Sequence, residues 1–170
     1  MQEQKIYGRR EGAVGHLVFN NPAKLNAVSL DMWDAFVGLL KDYEKDPELR
    51  CVVVSGAGGK AFVSGADISK FESERANAEA QVRYDAISKQ GYEGLYNFPK
   101  PTIAKITGYC IGGGMNLAAC CDMRFCNEGA RFGVPAAKLE KMAEACFNSD
   151  DFKEGRRAFM EKRKPVFKGR

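Results

Sequence analysis

The chain has 170 residues, of which 45% are hydrophobic and 28% charged, with a formal net charge of +4. That is enough for one buried core, and no apolar run approaches membrane-spanning length, so a soluble intracellular domain is expected. Basic residues outside the tail are matched by acids and no recognition-motif pattern is present, which argues against nucleic acid as the partner. The N-terminal segment MQEQKIYGRREGAVGHL lacks the apolar core of a secretory signal; it predicts a short strand, Lys5–Arg9, turning into a second, Val14–Asn20, in a cytoplasmic protein. His16 is the only histidine and stands in that second strand, so no Ser-His or Cys-His hydrolase can be assembled around it. Apolar residues at Met32, Phe36, Leu39, Leu40 and Tyr43 predict a helix over Ser29–Lys45, capped by Ser29 or Asp31.

The β-branched run Cys51–Ser55 reads as a central parallel strand, followed by the loop GAGGKAFVSGADI. Its lysine does not make a phosphate loop, because the spacing from the first glycine is short and Ala61 follows Lys60 where Ser or Thr is needed. The loop ends on Gly65-Ala66-Asp67: the glycine permits a sharp turn that could present the Ala66 N–H outward, and Asp67 suits the N-cap of the segment ISKFESERANAEAQVRY. A further helix is expected over Ala78–Leu95, ending near Asn97 before Pro99 and Pro101. The stretch IAKITGYCIGGGMNLAACCD, Ile103 to Asp122, then reads as a buried strand feeding a helix through Gly112, Gly113 and Gly114. Free N–H groups at that helix start would stabilise developing negative charge, as in an oxyanion hole; the plainer reading is that the glycines only allow close strand-to-helix packing. Two such turns, each after a strand, can supply two convergent donors. Six cysteines without a CxxC pair predict reduced, mostly buried thiols and no metal site.

Three blocks together resemble the enoyl-CoA hydratase/isomerase, or crotonase, family: LVFNNPAKLNAVSLDMWDAF (Leu17–Phe36), AFVSGADISKF (Ala61–Phe71) and KPTIAKITGYCIGGGMNLAACCDMRFC (Lys100–Cys126). The resemblance implies an α/β fold, the N-terminal part of the crotonase ββα spiral, in a core domain over residues 1–139. It implies that the Ala66 and Gly113 N–H groups hold the carbonyl of an acyl-CoA thioester and stabilise its enolate. Ala61, Ser64, Gly65, Asp67, Ile68, Gly112 and Gly114 would line the substrate. No cofactor is implied beyond coenzyme A as part of the substrate, and self-association of the family's trimer type is expected.

The tail FNSDDFKEGRRAFMEKRKPVFKGR (Phe147–Arg170) resembles the family's extreme C-terminus, so residues 140–170 read as a C-terminal helix and basic tail, with most of the usual helical second half absent between the two blocks. Phe159 and Lys162 match positions that cover CoA in the family; the alternative is a solvated basic tail. Both hydratase glutamates are replaced, by Asn116 and Ala136, and neither substitute can titrate. An acid or base would then come from elsewhere, with Asp67, Asp122 and Glu140 the nearby carboxylates. Each also has a structural reading: a helix cap for Asp67, a partner for Arg124 or a helix end for Asp122, a surface charge for Glu140. The chain is thus expected to be an acyl-CoA enzyme of this family, with alternatives of a non-catalytic acyl-CoA binder, an inactive shortened member and a basic-tailed interaction module.

Overall fold

The computed structural model of the protein describes residues 4–134 and 149–169. They fall into two compact units, one within Met1–Val134 and one within Pro135–Arg170. In the first unit β1 (Ile6–Glu11) and β2 (Val14–Phe19) form an antiparallel hairpin. Its two-residue turn puts Glu11 opposite Val14, so the first strand runs two residues past the expected Arg9. Next come α1 (Leu30–Lys45), β3 (Cys51–Gly56) and β4 (Ala61–Val63). A 3-10 turn at Ile68–Lys70 leads into the one-turn α2 (Phe71–Glu74) and the long α3 (Ala78–Tyr96).

The apolar run after Pro101 is not one strand but two. It bends at Thr107-Gly108 into β5 (Thr102–Ile106) and β6 (Tyr109–Ile111), which belong to different sheets. After them come α4 (Gly113–Cys120), β7 (Met123–Cys126) and β8 (Arg131–Gly133). One sheet has the order β1-β2-β3-β5-β7 and is parallel from β2 onward; the other, β4-β6-β8, is parallel throughout. From β3 onward the chain lays one strand on the first sheet and the next on the second, with α2 and α3 after β4 and α4 after β6, the repeating ββα path of a crotonase-like α/β fold.

Burial follows the sequence pattern. The inward residues of β2 and β3, Leu17, Phe19, Val52 and Val54, meet Met32, Trp33, Phe36 and Leu40 from α1 in one core. Phe19 and Phe36 rings lie 5.4 Å apart, Trp33 and Phe36 6.0 Å, Trp33 and Tyr92 4.8 Å. Each such fully buried side chain contributes roughly 2 kcal/mol. Ser29 sits at the start of α1 without a side-chain cap bond; its hydroxyl goes to Asp31, and the Leu30 N–H is met from a distance by the Glu74 carboxylate at 3.0 Å. That bond ties α2 to α1. His16 lies in β2, where burial and the neighbouring Arg9 lower its pKa, with Glu11 opposing them. The described cysteines are free, and among the described residues no metal-binding cluster occurs and no helix is long and apolar enough to cross a membrane.

The second unit contains α5 (Asp150–Met160), whose first turn is capped by Ser149 accepting from Phe152 N–H at 3.0 Å. The tail is not simply solvated. Arg163 binds Glu154 through both terminal nitrogens at 2.5 and 3.0 Å, and Asp151 accepts from the Lys168 and Gly169 amides.

Candidate functional site

The two glycine turns meet. Val28 N–H donates to the Gly65 carbonyl at 2.8 Å and Asp67 N–H to the Val28 carbonyl at 2.9 Å, a parallel bridge that turns the Ala66 N–H to the opposite side. Gly65 reaches this geometry at a φ of +105°, open to glycine and strained for other residues. A Cβ placed on Gly65 would lie 3.9 Å from the Gly113 nitrogen, which fixes how close the turns are. Gly113 is the first residue of α4, after the Gly112 cap, so its N–H is one of the helix's orphan donors. Among the described residues neither the Ala66 nor the Gly113 N–H has an acceptor.

Both residues line one cavity of about 220 Å³, together with Gly65, Val28 and Trp33 and, from α3 and the segment before it, Arg75, Tyr84, Asp85, Ser88 and Tyr92. Tyr84, Ser88 and Tyr92 are spaced by four along α3 and therefore share a face. Trp33 Nε1 donates to the Tyr84 hydroxyl at 3.2 Å, and the Tyr92 hydroxyl donates to the Gly113 carbonyl at 3.4 Å. Burial, helped by the nearby Tyr84, pushes the Tyr92 phenol up to about 12 against a hydrogen bond from Asn116, so Tyr92 is a neutral donor at physiological pH. Asn116 is not in the cavity wall and reaches it only through Tyr92.

The other expected substrate residues divide. Gly114 serves packing: a Cβ there would come within 2.0 Å of the Val63 carbonyl oxygen. Gly114→Ala should accordingly cost about 3 kcal/mol by overpacking backbone against backbone, read as a fall in the urea unfolding midpoint. Gly112 donates to the Gly133 carbonyl at 2.8 Å, Ala61 is buried and accepts from Asn26 at 2.8 Å, and the Ser64 hydroxyl goes to the Lys24 carbonyl at 3.4 Å. Ile68 is exposed in the 3-10 turn outside the cavity. Phe159 and Lys162 belong to the second unit, where both are exposed. Ala136 and Glu140 lie outside the described residues.

Two of the carboxylates named as acid or base are committed elsewhere. Asp67 caps the 3-10 turn, accepting from Ser69 N–H at 3.1 Å, and pairs with Lys24 at 2.9 Å; burial works to raise its pKa, but the Ser69 and Lys24 bonds outweigh it and hold the carboxyl below its ordinary value. Asp122 does not pair with Arg124. Its carboxylate accepts from the Thr102 hydroxyl at 2.8 Å and amide at 2.7 Å, which hold it below the ordinary range, while Arg124 caps the last carbonyls of α4. The carboxylate that does line the cavity, Asp85, was not singled out in the sequence; both its oxygens accept from Gln81 Nε2, at 2.8 and 2.9 Å.

Residues 9–148 match the sequence model of the enoyl-CoA hydratase/isomerase family. A peroxisomal Delta(3,5)-Delta(2,4)-dienoyl-CoA isomerase of Arabidopsis thaliana is 35% identical over 79% of this chain and 51% of its own length. A short-chain-enoyl-CoA hydratase of Clostridium acetobutylicum is 33% identical over 82% of this chain and 52% of its own. The chain therefore spans about half the length of the curated relatives it matches. Among solved structures, an enoyl-CoA hydratase/carnithine racemase of Magnetospirillum magneticum superposes with a TM-score of 0.75 at 25% identity, covering 99% of this chain and 97% of that one. An enoyl-CoA hydratase of Thermoplasma volcanium gives 0.73 at 29% identity over 82% and 54%.

Proposed function

The chain belongs to the enoyl-CoA hydratase/isomerase family, and from that premise we propose that it binds an acyl-CoA thioester with the carbonyl oxygen between the Ala66 and Gly113 N–H groups and moves a proton at carbon next to that carbonyl. The observation that carries this reading is the pair of acceptor-less amides on one cavity wall. Two donors aimed at one oxygen stabilise the enolate more than the ground-state carbonyl, because the charge they meet is larger.

The choice of reaction follows from the carboxylates. Hydration needs one group to activate water and another to deliver a proton, whereas migration of a double bond needs one base that removes a proton and returns it to another carbon. Asp85 is the one carboxylate among the described residues lining the cavity. Isomerisation of an enoyl-CoA is thus the reading this site favours, with Asp85 as the proton carrier and neutral Tyr92 holding the Gly113 turn through its bond to the Gly113 carbonyl.

Thermal unfolding with crotonyl-CoA, a saturated acyl-CoA and free CoA tests binding. A thioester at 100 times its Kd should add about 2.7 kcal/mol of stability, and more than free CoA does. Incubation with a 3-enoyl-CoA should then produce the conjugated 2-enoyl chromophore without loss of added crotonyl-CoA. Equal effects of thioesters and free CoA would sink the two-donor site; consumption of crotonyl-CoA would point to hydration.

A further inference from the structure

Arg75 lies in the segment ISKFESERANAEAQVRY, ahead of the helix expected over Ala78–Leu95. The Asn77 side chain accepts from Ala80 N–H at 2.9 Å and starts α3 afresh, so Arg75 falls in the short break between α2 and α3 and its side chain lines the cavity. The guanidinium carbon lies 4.2 Å from the centre of the Phe71 ring and 3.9 Å from that of Tyr84. Two aromatic faces hold it at a fixed place, which removes much of the rotamer freedom an arginine otherwise loses on binding.

Beyond these two rings its charge has no ionic partner. Among the described residues Arg75 makes no ion pair, and its Nε is shielded from solvent without a hydrogen-bond acceptor. Glu74 accepts from Leu30 N–H, and Asp85, on the same cavity wall, makes its hydrogen bonds to Gln81 and none to Arg75. The guanidinium lines the cavity, and a planar fork of donors in a wall is suited to a carboxylate.

We propose that this cavity selects acyl-CoA thioesters whose acyl group carries a second, terminal carboxylate, bound by Arg75 while the thioester carbonyl lies between Ala66 and Gly113. The inference rests on the acyl-CoA reading and deepens it to a substrate class. At about 220 Å³ the cavity is smaller than the roughly 300–1,000 Å³ of pockets that enclose drug-sized ligands, so the dicarboxylic acyl group is a short one.

The test is calorimetric titration of the full chain, and of Arg75→Gln and Arg75→Lys, with glutaryl-CoA, pentanoyl-CoA and free CoA. Pentanoyl-CoA has the same length with a methyl in place of the carboxylate. Wild type should bind glutaryl-CoA about tenfold or more tighter than pentanoyl-CoA. Arg75→Gln should erase that preference while leaving pentanoyl-CoA and free CoA within about twofold, and Arg75→Lys should keep part of it, because a point charge replaces a bidentate fork. Pentanoyl-CoA binding with no preference for glutaryl-CoA would overturn the proposal and leave the acyl-CoA reading intact. An equal loss for all three ligands in Arg75→Gln would overturn it too, assigning the guanidinium to a CoA phosphate. Failure of wild type to bind any of the three would remove both readings together.

Discussion

Gly113→Pro is expected to lower acyl-CoA turnover by about 10²–10³-fold relative to Gly113→Ala, the loss typical for one oxyanion donor, with a smaller loss of thioester affinity. The pairing of variants isolates the N–H. Gly113 is the first residue of α4, where proline's fixed φ and missing N–H are compatible with a helix. Either substitution adds a Cβ that meets the Tyr92 hydroxyl at 2.8 Å. Alanine thus carries the same crowding with the donor kept, and proline carries it with the donor gone. Circular dichroism and the unfolding midpoint should be similar for the two. Equal binding and turnover in both would show that the Gly113 amide meets no oxygen of the substrate.

That the two turns form one wall was legible because glycine is a local signal. Gly65 before Ala66 and the run Gly112 to Gly114 marked where the backbone must turn, and Asp67 was readable as a cap from its place ahead of a helical segment. What the glycines do was not all one thing: Gly114 is required by the Val63 carbonyl, so the plainer packing reading is right for that residue. The remaining walls come from α3, whose Tyr84 is 51 residues after Trp33 and whose Tyr92 is 21 before Gly113, and their placement is a tertiary fact that no local pattern encodes. The stripe Tyr84, Ser88, Tyr92 was available at helical spacing, with Asp85 beside it, and a polar stripe of that kind next to aromatic residues is the signal that could have directed attention there. Arg75 was not legible: it lies just ahead of the helix expected from Ala78, in a stretch where no regular spacing says which side chain turns inward. Asp122 was read as a partner for Arg124 or a helix end, whereas its carboxylate meets Thr102 on β5, the strand beside β7 in the sheet.

Asp85→Asn should reduce proton transfer by about 10²–10⁴-fold, the range for loss of a positioned general base, with thioester affinity held within a few-fold. The other groups at hand do not offer the same chemistry. Tyr92, pushed up to about 12, is protonated at neutral pH and cannot remove a proton from carbon. Asp67 and Asp122 are held in their charged forms by donors that occupy their lone pairs, so each would have to break a cap or a cross-sheet bond to act as a base. Asp85 is exposed on one side, faces the cavity on the other, and is held by a single amide donor, Gln81, that does not need its charge. Asparagine can keep an oxygen toward Gln81, and substitution at an exposed helical position costs within about 0.5 kcal/mol, so a fall in rate would report chemistry, not folding. Deuterium exchange into the carbon next to the thioester, followed by mass spectrometry, separates the steps: wild type should wash in solvent label, and Asp85→Asn should not. Undiminished exchange in the variant would take the proton-carrying role away from Asp85 while leaving the two amide donors as a binding site for the thioester oxygen.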